Sequence, residues 1–337
     1  MRNSGLRLTW AFVAVVLLSG WRADSLAQAA LEILQVQGHV YMLAGAGGNI
    51  TLQIGEQGVL VVDAGRADAS AAVLTAIRSL SKRQIHYIID TSADDDHTGG
   101  NAALSQAGST APGVSQGPNG PGALVIAHEN VFNRMDAPNG ERPPAPPASW
   151  PTVTFFTAKK TMSFNDDPIE MLWQKAAHTD GDLFVFFRAS DVVSVGDVLS
   201  TTTYPVVDVG RGGSIQGEID ALNRIIDITI PRFNQMGGTR VIPGHGRICD
   251  EADVVEYRDM VTIVRDRVRA LVDKGMSLEQ VQTARPTYEY DSLYGAETGS
   301  WTTRMFVEAV YKSVASQRTT VAAAAGTKGS SAKGKGK

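Results

Sequence analysis

Thr91-Ser92-Ala93-Asp94-Asp95-Asp96-His97-Thr98-Gly99-Gly100-Asn101 places three carboxylates and an imidazole in four consecutive positions, directly after the apolar run Ile85-His86-Tyr87-Ile88-Ile89-Asp90. The β-branched and aromatic content of that run predicts a buried strand, so the acidic cluster lies at a strand's carboxyl end, where the sites of α/β proteins gather. Carboxylates this close raise one another's pKa and repel unless a cation neutralises them. The cluster therefore reads either as a metal-binding loop or as an ordinary solvated acidic turn.

Two more of the six histidines occupy comparable settings. His178 lies in Ala176-Ala177-His178-Thr179-Asp180-Gly181-Asp182, before the strand-like Leu183-Phe184-Val185-Phe186-Phe187, and His245 ends the short apolar stretch Val241-Ile242-Pro243-Gly244-His245-Gly246. Between them, Val192-Val193-Ser194-Val195-Gly196-Asp197 is another apolar strand closing on a carboxylate. One such residue would be structural; the recurrence of candidate ligands at strand ends is the pattern expected when several strands converge on one pocket.

The ordered set resembles the metallo-β-lactamase superfamily from about Leu31 to about Val314. Gly47-Gly48-Asn49-Ile50 and Gly58-Val59-Leu60-Val61-Val62-Asp63-Ala64-Gly65 match the family's opening hairpin and Asp-containing loop. Asp96-His97 with Thr98-Gly99-Gly100-Asn101, then His178, Gly196-Asp197 and Gly244-His245-Gly246, follow in the family's order. The resemblance implies an α/β (α+β) fold, a four-layer αββα sandwich with the metal site at the edge where two sheets meet.

The family's central motif is H-x-H-x-D-H, and here it reads Ser92-Ala93-Asp94-Asp95-Asp96-His97, so the two leading histidines are replaced. Carried over by position, the resemblance implies a second metal site of Asp96, His97 and His245 with Asp197 bridging, and a first site of Ser92, Asp94 and His178 sharing that bridge. Serine is a poor zinc ligand at neutral pH, whereas aspartate substitutes for histidine with a harder oxygen donor. The first expectation is one divalent ion, Zn2+, at Asp96, His97 and His245, beside a weak or empty first site. A two-metal centre follows, with oxygen-rich ligation that favours iron or manganese. Last comes a fold that has lost its chemistry and binds something.

A cation at such strand ends lowers the pKa of water from 15.7 to roughly 7, so the expected chemistry is attack of a metal-activated hydroxide on a carbonyl carbon or phosphoryl phosphorus. Asp96 is assigned the metal and the orientation of the nucleophile, and Asp94 a general acid or base role beside a single ion, with Asp95 solvated. Tyr204, seven positions after Asp197, is a candidate hydroxyl donor to a developing oxyanion, or a packed core residue. Family members with a carboxylate at the position of Asp197 are thioesterases, lactonases, phosphodiesterases and related hydrolases, whereas the true β-lactamases have cysteine or serine there. The implied activity is a secreted metal-dependent hydrolase of an ester, lactone, thioester or phosphoester, with a catalytically impaired binding protein or a di-iron redox protein as alternatives.

Outside the motifs, Arg2 and Arg7 flank the start of the apolar run Leu8 to Gly20, with small residues near Ala27. Residues 1–27 thus read as a secretory signal peptide, which implies periplasmic or secreted localisation without stable membrane insertion. Residues 28–317 form the expected domain, and the basic, Ala/Gly/Ser-rich stretch 318–337 a flexible tail. Formal net charge is −4, with +2 in residues 1–27 and +4 in residues 328–337, so the intervening chain carries −10; nucleic acid is not an expected partner, and a small-molecule substrate is. Residues 105–122 and 138–151, rich in Gly, Ser and Pro from Gly108 and from Pro138 onward, are predicted loops beside the site. Cys249, the one cysteine, is predicted to be a small buried residue, and His128, after the strand-like Leu124 to Ala127, a structural one. Helical spacing is predicted over 250–274, at 277–281 behind a capping box from Ser277 to Gln280, and over 301–314.

Overall fold

The structure, a computed structural model, describes residues 31–118, 120–136, 144–230 and 238–316. The expected signal peptide and basic tail lie outside the described residues. Among the described residues, twelve strands are arranged in two sheets. The first sheet runs in chain order through β1 (Glu32–Gln37), β2 (Val40–Ala46), β3 (Gly48–Gly55), β4 (Gly58–Val62), β5 (Ile85–Ile89), β6 (Leu124–His128) and β7 (Val153–Phe155). Its first four strands are antiparallel hairpin neighbours, while β4 to β7 pair in parallel. Parallel pairing requires crossovers, supplied by α1 (Ser70–Leu80), by α2 (Asp95–Thr98) with α3 (Asn101–Ala107), and by α4 (Glu129–Asp136).

The second sheet has the order β12-β11-β10-β9-β8, from β8 (Lys159–Phe164), β9 (Asp167–Trp173), β10 (Leu183–Phe187), β11 (Val192–Ser194) and β12 (Arg240–Ile242). Its pairings are antiparallel except β11 with β12. The crossover between those two is α5 (Ile215–Thr229), and α6 (Glu251–Asp273), α7 (Leu278–Thr283), α8 (Asp291–Tyr294) and a helix over 303–316, α9, follow β12.

Side-chain alternation assigns the layers. On β4, Val59 and Val61 pack with Val73 and Ile77 of α1, whereas Leu60 and Val62 face the other sheet. On β10, Leu183, Val185 and Phe187 meet them there, and Phe184 points instead toward Ile219 and Leu222 of α5, Val261 and Val264 of α6, and Phe306 and Val310 of α9. A strand buried on both faces reads as an unbroken apolar run, as Gly58–Val62 and Leu183–Phe187 do. Three apolar layers, helix on sheet, sheet on sheet and sheet on helix, make the four-layer αββα sandwich.

The helix predictions hold within the usual one or two residues at each end. Both α6 and α7 begin with complete capping boxes, Asp250 with Asp253 and Ser277 with Gln280. The predicted loop at 105–122 needs its start moved, because α3 carries the chain to Ala107. From Gly108 onward the described residues form turns and an isolated bridge. In the second predicted loop, residues 137–143 are outside the described set, and Pro147–Ser149 makes a short 3-10 turn whose Ser149 carbonyl accepts from Asn101 Nδ2. Among the described residues no helix is long and apolar enough to cross a membrane.

Candidate metal centre

β5 ends at Ile89, and the chain passes through Asp90 and Thr91 into α2, which carries Asp96 and His97. Asp63, at the end of β4 with φ 62°, accepts hydrogen bonds from Thr91 N (2.8 Å) and Thr91 Oγ1 (2.7 Å). Its Oδ2 also accepts from His97 Nδ1 at 2.8 Å. A side chain held at positive φ is strained, and here the strained residue fixes the His97 ring so that Nε2 faces Asp197. Nε2 lies 3.0 Å from Asp197 Oδ1.

Asp197 and His245 come from the other sheet, in the turns after β11 and β12. Gly244 separates them closely: a Cβ there would meet Asp197 Oδ1 at 2.5 Å. The two sheets are tied at this edge by Asn49 of β3, whose N donates to Gly244 O (2.8 Å) and whose Nδ2 donates to Pro243 O (2.9 Å) and Gly246 O (3.0 Å). His245 Nε2 thereby sits 3.3 Å from both Asp96 Oδ2 and Asp197 Oδ1. His97 is wholly buried and His245 about one-third exposed (36 %), so the group opens to solvent on the His245 side.

Behind Asp197 lies a second group. His178 donates from Nδ1 to Val206 O at 2.6 Å, which turns Nε2 toward Asp94 Oδ2 (2.7 Å) and Asp197 Oδ2 (3.6 Å). Arg211, in the short turn Val209–Arg211, places Nη1 2.6 Å from Asp94 Oδ1 and Nε 2.7 Å from Asp208 Oδ2. Ser92 Oγ accepts from the Asp94 amide at 3.3 Å.

Asp96, His97 and His245 thus form one candidate ligand set, and Asp94, His178 and Asp197 another. The first set, taken with Asp197 beside it, has spacings compatible with a metal ion. Tetrahedral ligation at 2.0–2.1 Å sets donor atoms about 3.3 Å apart, and the spacings around Asp197, Asp96, His97 and His245 are 3.0, 3.3 and 3.3 Å. The Asp63 carboxylate on the far nitrogen of His97 is the partner that metal-ligating histidines characteristically have.

The electrostatics follow from burial and pairing. Burial favours neutral His97 and His178, but the charges and hydrogen bonds of their carboxylates win. Asp197 and Asp63 raise His97 well above its ordinary value, and Asp94 with Asp197 and Asp182 raises His178 to about 10. Hydrogen bonds that His245 donates to Asp197 and Asp96 raise it to about 9. Burial penalises the carboxylates as well, yet the histidines hold Asp96 and Asp197 below the usual range, and His178 with Arg211 does the same for Asp94.

Of the predicted site residues, Asp94, Asp96, His97, His178, Asp197 and His245 come together, and Tyr204 does not. Its ring stacks on Phe306 in the helical layer, and its hydroxyl lies 3.0 Å from Asp291 Oδ1 and 3.2 Å from Thr287 O. The single proton is committed there, so an oxyanion role for Tyr204 is corrected to a packing role. Asp95 is exposed, as expected. His128 stacks flat on Trp173 at 4.4 Å, and Cys249 is buried beside α6, its thiol pushed up to about 12 by burial. Two residues escaped the sequence reading. Asp63 was visible only as part of a matching loop, and Arg211 sits in Asp208-Val209-Gly210-Arg211-Gly212-Gly213, where nothing but its turn-forming composition draws attention.

Comparison with known proteins identifies the family and the fold. Residues 43–245 match the family model of the Metallo-beta-lactamase superfamily. No curated protein sequence matches the chain. Among solved structures, a metallo-beta-lactamase from Pontibacter korlensis superposes with a TM-score of 0.53 at 16 % identity, covering 69 % of this chain and 99 % of that one. DIM-1 metallo-beta-lactamase gives 0.51 at 17 %, covering 69 % and 97 %. The inverting sec-alkylsulfatase Pisa1 from Pseudomonas sp. gives 0.56 at 15 %, covering 84 % of this chain and 50 % of that one. At these identities the likeness is one of fold.

Proposed function

Since the chain belongs to the metallo-β-lactamase superfamily, we propose that it is a metal-dependent hydrolase of an ester, lactone, thioester or phosphoester. The observation that carries the reading is the meeting of Asp96, His97 and His245 around Asp197, at metal-ligand spacing, where strand ends of both sheets converge. A divalent cation held by these residues supplies Lewis acidity and brings the pKa of water toward neutrality. The chain's own contribution is placement. Asp63 fixes the tautomer of His97, Asn49 braces the His245 turn, and Asp197, held ionised by the histidines, presents negative charge to both groups. Asp94 is paired with His178 and Arg211, which suits it to electrostatic support rather than to free proton transfer.

Oxygen-containing electrophiles are favoured because Asp197 is a carboxylate where the true β-lactamases of the family resemblance have cysteine or serine. A β-lactam and a secondary alkyl sulfate belong in the assay panel because structures of that chemistry share the fold. We further infer export, with residues 1–27 removed and 28–317 as the functional domain, on the Arg2/Arg7 and Leu8-to-Gly20 pattern.

The test is elemental mass spectrometry on tag-free protein purified without chelator, followed by the substrate panel on wild type and H245A. The expected result is stoichiometric divalent metal and hydrolysis of at least one oxygen ester or lactone, both lost in H245A. A wild-type chain that takes up no zinc, manganese or iron would sink the reading. Full metal uptake with turnover unaffected by H245A would detach the chemistry from this centre.

A further inference from the structure

In the group on the far side of Asp197, which Asp94, His178 and Asp197 make up, both oxygens of Asp94 are closed up by hydrogen bonds from the protein. His178 Nε2 approaches Asp94 Oδ2 to 2.7 Å and Arg211 Nη1 approaches Asp94 Oδ1 to 2.6 Å. These are charge-assisted hydrogen-bond distances, shorter than the separation of about 3.3 Å between donors that share a tetrahedral ion and shorter than the 3.0–3.3 Å spacings on the other side. Each carboxylate oxygen of Asp94 is thereby engaged, one by an imidazole and one by a guanidinium. Ser92 offers only a hydroxyl, already accepting from the Asp94 amide.

We propose that the Arg211 guanidinium replaces the first cation of the family's two-metal arrangement, so that this centre holds one divalent ion and one fixed organic cation. The proposal rests on the reading of Asp96, His97 and His245 as metal ligands. Arg211 is built to stay in place. Its Nε is held by Asp208 Oδ2 at 2.7 Å, its own amide donates to Asp208 Oδ1 at 3.0 Å, and its side chain is 19 % exposed. The turn closes on Gly212 at φ 86°, a left-handed position that glycine adopts without strain. Charge closes the argument. The positive charge that a metal would bring to Asp94 is already there as the Arg211 guanidinium, which Asp94 shares with Asp208. A second dication at Asp94 would lie against a guanidinium that cannot give up its proton. The two histidines missing from the central motif and the arginine from a distant turn then form one compensated exchange.

Native mass spectrometry and elemental analysis of the full chain, titrated with excess zinc and separately manganese, test this. Wild type is expected to saturate at one ion per chain and R211K, which keeps the charge, also at one. R211M, similar in size and uncharged, is expected to admit a second ion with at least tenfold higher affinity than any second ion in wild type. Two ions in wild type overturn the proposal while leaving the metal-dependent reading intact. One ion in wild type that stays one in folded R211M overturns the assignment of the exclusion to Arg211. No ion in wild type overturns the metal reading itself and this proposal with it. The wild-type measurement needs no variant to fold.

Discussion

Asp63 shows how much of a metal centre lies in residues that need not touch the metal. Three donors converge on its carboxylate, and one is the buried ring nitrogen of His97. Without that acceptor the imidazole is free to choose the tautomer that turns an N–H toward Asp197. Loss of such a supporting carboxylate costs metal affinity by roughly 10–100-fold. Asp63→Asn should therefore weaken zinc binding by that order in a competition titration with a chromophoric chelator, while its far-ultraviolet circular dichroism stays as in wild type. Unchanged affinity would mean that packing alone orients His97. Tyr204 predicts the opposite pattern. Because its hydroxyl is spent on Asp291 and Thr287, Tyr204→Phe should lower stability in urea by about 1 kcal/mol, the usual worth of one hydrogen bond. Metal content and turnover should stay within twofold of wild type. A variant with normal stability and lost turnover would restore the hydroxyl to the chemistry.

Among the elements, Asp197 and His245 are brought together by the turns after β11 and β12, and those turns fit because they are nearly without side chains where they touch. A methyl group at position 244 would collide with Asp197 Oδ1 and with the backbone of Gly196. Gly244→Ala must push apart the turns after β11 and β12, so it should lower both metal affinity and melting temperature. A melting temperature that falls while affinity is kept would show that the two turns move as a unit. These turns also mark how far the sequence could be read. The strands at 85–89, 183–187 and 192–194 and the helices from Asp250 onward were legible, since apolar runs and helical periodicity are local properties that survive without knowledge of neighbours. The six convergent candidate residues were legible because each follows or precedes such a strand and because their order resembles a known family. Arg211 was not, since its role comes from a spatial meeting with Asp94 that no periodicity encodes. Tyr204 misled for the same reason: seven residues from a ligand says nothing about the direction of the ring, which Phe306 of a distant helix decides.

For the whole molecule, the centre couples protons, metal and stability, and the sign can be worked out. The pKa of His245 is raised to about 9 and that of His178 to about 10, above the ordinary value of 6.5, by the carboxylates around them. Groups raised on folding stabilise the native state fully below their unfolded pKa and lose that contribution as pH climbs through the folded one. In the presence of chelator the protein should therefore become less stable between about pH 6.5 and the range 9–10, a window set by these two shifts. Asp182, raised to about 6 by burial, acts in the same direction at lower pH. Metal binding runs the other way. His97 and His245 must release a proton to ligate, so affinity should rise roughly tenfold per pH unit for each proton displaced, until the free imidazole is reached. Ligand binding to the native state adds stability in proportion to the logarithm of its concentration over Kd. The increment in melting temperature from one equivalent of zinc should accordingly widen from pH 6.5 to pH 8.5, as chelator-treated protein weakens and loaded protein holds. Differential scanning fluorimetry at matched ionic strength measures both curves. An increment that is flat or shrinks over that interval would show that the histidines do not exchange protons for metal, and that the carboxylate–histidine pairs are ion pairs of the fold alone.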